Sequence, residues 1–400
     1  MTNLIVLGVA LPLALLSSSA AFADDIVVTG RPLRETAADL KACLERRCPP
    51  DQDVAATLAH AENLFIAGDY ANSRKTLLAS IGRNRKHGAA YPVPVSDLFR
   101  ANSRIAEHMG EGKNYQLSVL DMRDTLRKAL GEDDFRTLVA QIEVGDSRAK
   151  LGFPGEAGRI YKDVEDKALA LGRSRVATLA RLRQALLLKV RYDDTPDESL
   201  KREVLAKLNQ VIEQPLPGAE EFALAAEVIK AKLDRKGGDG GSTDAIVKRF
   251  AEAGGVTRPL LIYSEPLERI DLANGGAENM PSANTLTRLT ASNAVGQWAD
   301  VGFWIGPDGH VGDVDVLRAG GTQFWVKPVL ENVKKRVYAP LRRDGDAVPG
   351  FYMIERYTRT ARFESDTTGT RLRRREPTPR IERIDITPEN YAQPAALKAG

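Results

Sequence analysis

Few residues in this chain are equipped for chemistry. Four histidines (His60, His87, His108 and His310) and two cysteines (Cys43 and Cys48) are spread over 400 residues. Structural zinc or haem needs a set of such ligands brought together. His60, His87 and His108 have no Cys or acidic partners at ligand spacing, and His310 follows the turn Pro307-Asp308-Gly309. Asp313 and Asp315 stand two apart on an expected strand, so they share a side as a catalytic carboxylate pair would. Val314 and Val316 alternate with them, and a half-buried strand with a solvated acidic side accounts for the pattern. No Gly-x-Ser-x-Gly, His-Glu-x-x-His or dinucleotide loop occurs. The run Lys236-Gly237-Gly238-Asp239-Gly240-Gly241-Ser242-Thr243 lacks the Lys before Ser or Thr that a phosphate loop uses. The expectation is no catalytic residue, no cofactor, no metal and no enzymatic activity.

The cysteines read with the amino terminus. Residues 4–16 are almost wholly apolar and lead through Ser17-Ser18-Ser19 to Ala21-Phe22-Ala23. An apolar stretch followed by small residues in the A-x-A pattern is the mark of a secretory signal, here cut between Ala23 and Asp24. The serines interrupt it before the about 20 apolar residues that would span a bilayer, and no later stretch is long and apolar enough. The exported, periplasmic location this implies is oxidising, so Cys43 and Cys48 are expected to pair as a disulfide, with free thiols as the alternative. Residues five apart within one helix are too distant to bridge, but Pro49 disfavours helical backbone at Cys48 and lets it swing back.

Composition narrows the partners. Against 57 basic side chains stand 54 acidic ones, a formal charge of +3, and aromatics make up only 6%. Neither the basic surplus that neutralises phosphates nor the stacking platforms for bases are present, so nucleic acid is not an expected partner.

From Asp53 to about Lys236 the apolar spacing is helical, and after the Gly-rich loop of Lys236 to Thr243 one last helix is expected over Asp244 to Ala253. Leu58, Ala61, Leu64 and Phe65, then Gly68-Asp69-Tyr70, then Leu77, Leu78 and Ile81 describe a helix hairpin. Gly68, Gly110 and Gly152 are separated by 42 residues each time, and one further step reaches Asp194. Equal spacing of helix-breaking turns is the product of stacked helix pairs. This region resembles tetratricopeptide repeats, with small residues at helix crossings and a bulky one behind, as in Gly145, Gly152, Ala157 and Tyr161. Its 42-residue step exceeds the about 34 residues of that family.

After a loop rich in Gly, Asn and Pro over residues 275–284, the period becomes alternating. Val301, Phe303 and Ile305 form one strand, and Val314 and Val316 the inner face of a second. Val326, Val329, Leu330, Val333 and Val337 make the stripe of one helix ended by Pro340. A long strand then carries Phe351, Met353, Tyr357, Ala361 and Phe363 on one face. Strand, strand, helix, strand buries a helix on a small antiparallel sheet. With Asp308-Gly309, Tyr338-Ala339-Pro340 and Val348-Pro349-Gly350 in place, residues 299–363 resemble the TonB C-terminal domain family. Arg336 stands where that family usually has Trp.

The fold class expected is therefore α+β, with a signal peptide at 1–23, a Cys-bearing segment at 24–52, TPR-like repeats at 53–254, a TonB-like module at 255–365 with a core of its own, and a disordered basic tail at 366–400. Asp25, Ile26, Val27, Val28 and Thr29 resemble the TonB box of outer-membrane receptors, an extended peptide that adds a strand to a sheet; β-branched residues favour extension. The resemblances imply an exported protein-binding protein whose partner is a TonB-like protein or a TonB-dependent receptor. A structural envelope scaffold is the alternative, and an enzyme using the helical surface a more distant one.

Overall fold

The computed structural model describes residues 31–219, 221–235, 245–248, 250, 259–265, 267, 296–340, 342–343, 346–347, 350–363 and 379–388. Ten helices open it: α1 (Leu33–Glu45), α2 (Pro50–Ile66), α3 (Tyr70–Asn84), α4 (Pro92–His108), α5 (Gly112–Leu130), α6 (Phe135–Lys150), α7 (Pro154–Ala170), α8 (Ser174–Asp194), α9 (Glu198–Glu213) and α10 (Glu221–Arg235). Each packs on the next, and α2 touches α4, α6 touches α8 and α8 touches α10. That is the contact pattern of stacked hairpins. Between α4 and α6, ion pairs Arg100–Glu143 (3.2 Å) and Lys150–Glu107 (2.6 Å) set the stacking register.

The 42-residue step has a backbone cause. Gly68 (φ 83°), Gly110 (φ 73°) and Gly152 (φ 89°) close α2, α4 and α6 in the left-handed conformation. In each case the following N–H reaches back to the helix: Asp69 to Leu64 O, Glu111 to Ala106 O, Phe153 to Arg148 O. This is the Schellman closure that Gly permits without steric cost. The three turns therefore lie in a row along one edge of the helical layer.

Cys43 and Cys48 sit at disulfide distance, their Cα atoms 5.2 Å apart. The chain doubles back through Arg47, whose φ of 53° is left-handed, and Cys48 N–H donates to Cys43 O at 3.0 Å. Pro49 acts one residue later, preceding the first residue of α2. So tight a loop contributes about 2 kcal/mol through the unfolded chain. Intact-mass analysis after alkylation is expected to find no reactive thiol before reduction and two after it, with reduction loosening α1 and leaving α2 onward folded.

The carboxyl-terminal part contributes β1 (Leu261–Tyr263), β2 (Gln297–Ile305), β3 (Val311–Gly320), helix α11 (Val326–Lys334), β4 (Val337–Tyr338), β5 (Arg342–Arg343), β6 (Asp346–Ala347), β7 (Phe351–Thr360) and β8 (Arg380–Asp385). Four strands form one antiparallel sheet in the order β3-β2-β7-β8, while β1 pairs with β4 and β5 with β6. The class is α+β. One sheet face, with Ala299, Val301, Phe303, Met353 and Tyr357, shares a core with Trp325, Val326, Val329 and Val333 of the α11 region and with Val228 and Ala231 of α10.

Three expectations change. α11 stops at Lys334, and Val337 pairs with Tyr263 in the β1–β4 ribbon, because Arg336 turns the chain inward. The tail expected to be disordered supplies β8, whose residues from Arg380 to Asp385 pair with Thr360 to Glu355; its charges find partners there, Arg383 lying 3.4 Å from Glu355. The sheet core is also not confined to its own segment, since the second face is buried against the helices.

Candidate functional site

That second face carries polar residues. β2 and β7 run in register, Asp300 opposite Arg356 and Trp298 opposite Thr358. These side chains meet the edge of the helical layer where the left-handed glycines turn. Arg356 is fully buried, and all five guanidinium donors are engaged: two with Asp300, one with Phe65 O (2.8 Å), one with Ile66 O (2.6 Å) and one with the Tyr70 hydroxyl (3.3 Å). The two carbonyls end α2, where a helix leaves acceptors unsatisfied and its dipole favours a cation. The guanidinium also lies 3.8 Å from the centroid of the Trp298 ring. A Cβ at Gly68 or at Gly320 would collide with that indole, so a glycine on each side makes room for it.

A hydrogen-bonded chain continues from Arg356. Arg356 can only donate, so the Tyr70 oxygen accepts from it, and the Tyr70 hydroxyl lies 2.7 Å from Thr358 Oγ1. Thr358 Oγ1 in turn lies 2.9 Å from His108 Nδ1, within hydrogen-bond distance. Burial pushes the His108 pKa down to about 3, with Lys150, Arg356 and Arg380 adding to the effect and Glu107 opposing it. Phe363 N–H donates to Gly110 O at 3.0 Å and fastens the end of β7 to the same row of turns. Beside it, burial raises Glu382 on β8 above the usual carboxylate range, with Glu107 adding to the shift. The attraction of Lys150 and Arg380 outweighs burial at Glu107 and lowers it.

Arg336 occupies the opposite face. It is buried, donates to Glu355 at 2.7 Å and to the Tyr357 hydroxyl at 2.7 Å, and lies 5.8 Å from the centroid of the Phe303 ring. The cation thus lies against the Phe303 and Tyr357 rings.

Both sheet faces being covered, the edges decide what else can bind. β3 and β8 are the two edge strands of the sheet, and among the described residues neither pairs with a further strand; β3 is the one with exposed apolar side chains. Val316 is 36% exposed and Leu317 44% exposed along it. Val316 pairs opposite Val301 on the α11 side, whereas Leu317 reaches over Gly302 on the other side. Two irregularities in the β2–β3 register bring these neighbours to the rim. An edge with unsatisfied N–H and C=O groups and apolar side chains on both faces is suited to accepting an extended strand.

The residues singled out in the sequence fall elsewhere. Asp313 and Asp315 are exposed on β3, Asp313 with φ 48°. His310 is exposed beside Asp308 (3.3 Å), His60 contacts Thr36 at 3.3 Å, and His87 lies in a short 3-10 turn. Among the described residues no group of His, Cys, Asp or Glu is placed to hold a metal, and no helix is long and apolar enough to cross a membrane. Ala23, Asp24, Asp25, Ile26, Val27, Val28 and Thr29 lie outside the described residues. Sequence reading missed Asp300, Arg356 and Thr358, and passed over His108 as a candidate. No family model, curated protein or solved structure matches the chain.

Proposed function

We propose that the chain is an exported, periplasmic protein-binding protein in which a TonB-like sheet, carried on a TPR-like helical scaffold, accepts an extended segment of a TonB-like protein or TonB-dependent receptor along β3. The observation that carries this reading is the edge position of β3, along which Val316 and Leu317 are exposed on opposite faces among the described residues. Main-chain hydrogen bonds would supply affinity there, and Val316 and Leu317 the side-chain selectivity. The disulfide-distance cysteine pair supports an oxidising compartment.

A photo-crosslinking residue at position 317 is expected to capture the partner through its extended segment, whereas one at Leu78, exposed on α3, captures none. Val316→Asp with Leu317→Asp removes two apolar contacts and is expected to weaken partner binding about tenfold or more. Crosslinks at position 78 without any at 317 would instead favour a structural envelope scaffold, a reading that the fixed seat of the sheet on the helices also supports.

A further inference from the structure

We propose that Lys232, with Lys189, Arg383 and Arg336 around it, forms a binding site for a small oxyanion, a carboxylate or a sulfate- or phosphate-like group, where α8, α10 and the sheet meet.

Its first support is the convergence of three elements distant in sequence. α10 lies between two cores: Ala225, Ala226, Ile229 and Leu233 pack into that of the helical layer, whereas Val228 and Ala231 pack into that of the sheet. Lys232 follows Val228 by four residues, so it leaves α10 on the sheet side, where it is partly buried. Arg383 on β8 stands opposite Tyr357. Directly paired residues share a face, and Tyr357 belongs to the same sheet core as Val228 and Ala231. Lys189 comes from α8, which touches α10. The side chains of Lys189 and Arg383 keep only 14% and 17% of their surface in solvent, and Arg336 is buried.

The second support is the charge left over. Asp193 takes Lys189 at 2.5 Å, and Glu355 takes both Arg336 at 2.7 Å and Arg383 at 3.4 Å. Lys232 makes no hydrogen bond or ion pair among the described residues. Burial lowers its pKa to about 7, with Lys189, Arg383 and Arg336 adding to the effect, and no described carboxylate opposes them. An ammonium has three donors and no acceptor. Withdrawn from water and set among like charges, it is stabilised by an anion that supplies both acceptors and opposite charge. An oxyanion beside Lys232 does this, and Lys189 and Arg383 add to its hold.

Nuclear magnetic resonance of the full chain, labelled with carbon-13 at lysine Cε and titrated with acid and base, tests the site. The Lys232 resonance is the one missing from Lys232→Met. With chloride as the only added anion it is expected to titrate near pH 7. Sulfate at matched ionic strength should raise that midpoint by about one pH unit, the rise that a tenfold preference for the protonated amine produces. Calorimetry with sulfate should find binding weakened about tenfold or more in Lys232→Met. Lys232→Arg, charged at every pH used, should bind as the parent does at low pH and keep that affinity where the parent loses it. Lys41→Met, whose side chain is 78% exposed on α1, should bind sulfate as the parent does. Acetate in place of sulfate separates the sources: a larger rise in acetate assigns the site to a carboxylate, a larger rise in sulfate to a tetrahedral dianion. A Lys232 midpoint in the ordinary lysine range, a midpoint that neither anion moves, or undiminished sulfate binding by Lys232→Met overturns the proposal.

Discussion

Arg356→Met is expected to destabilise the chain by about 3–5 kcal/mol, the cost typical of removing one partner of a buried, hydrogen-bonded ion pair. Methionine fills much of the arginine's volume, so the loss is not chiefly a cavity. It comes from the groups left behind: Asp300, fully buried, and the carbonyl of Ile66 at the end of α2, whereas the Phe65 carbonyl keeps its bond from Gly68 N–H at 2.9 Å. Arg318 still reaches Asp300 at 2.6 Å, but half of its side chain is in solvent, and it neutralises the carboxylate only in part. Adding Asp300→Leu is expected to recover part of the loss, because an apolar pair of similar volume no longer carries a buried charge. The Ile66 carbonyl still lacks the guanidinium in the double variant, so recovery is incomplete. Denaturation followed by two probes reads this directly. All three tryptophans (Trp298, Trp304 and Trp325) belong to the sheet part, so their fluorescence follows the sheet while far-ultraviolet circular dichroism follows mainly the helices. The parent chain is expected to lose both signals together, since Arg356 joins the two. The variant should shift the fluorescence transition further than the dichroism. A variant as stable as the parent would mean that this ion pair is not what seats the sheet.

The arrangement around Arg356 marks where sequence reasoning ran out. The helix hairpins were legible because the left-handed glycines recur at a fixed step, and the strands because Val301, Phe303 and Ile305 alternate with their neighbours. The other side of that alternation was read as solvent. Asp300, Arg356 and Thr358 are polar, and polar residues opposite an apolar strand face ordinarily point to water. Here they point to the ends of α2 and α4. A signal was present: the same 42-residue step that relates the glycines also relates Ile66, His108 and Lys150, so one row of helix ends faces whatever lies across it. The partner across that row is distant in sequence, as the separation of 290 between Arg356 and Ile66 makes plain, and no local pattern encodes it. β8 escaped for a related reason. Arg380, Glu382 and Arg383 form a charged stretch that lacks the apolar alternation of a strand, and only the pairing with β7 and the neighbouring acidic groups makes it one.

The same seam gives the stability a pH dependence centred on His108. Its ordinary pKa of 6.5 falls to about 3 in the folded chain, first through burial. Its Nδ1 lies 2.9 Å from Thr358 Oγ1 at the end of the Arg356–Tyr70–Thr358 chain, and a proton taken up by the ring would place a cation beside Lys150, Arg356 and Arg380. Between pH 6.5 and 3 the unfolded chain therefore binds a proton at this residue that the folded chain does not. Stability is full above the unfolded value and declines as pH falls, by up to about 1.4 kcal/mol per unit, or about 5 kcal/mol by pH 3. Two neighbours modify the profile. Glu382, raised in the folded state, takes up its proton early and contributes the opposite slope over its own window, which begins at the ordinary carboxylate value and extends upward. Glu107, lowered, adds to the decline only below that value. His108→Asn keeps an acceptor near the Thr358 hydroxyl and cannot be protonated. Unfolding free energies from urea titrations of the parent and of this variant, taken from pH 7 to pH 4.5, isolate the residue because both chains carry the same carboxylates. The parent is expected to lose more stability than His108→Asn across that range, the difference widening steadily as pH falls. Parallel profiles would show that His108 takes up its proton in the folded chain as readily as in the unfolded one.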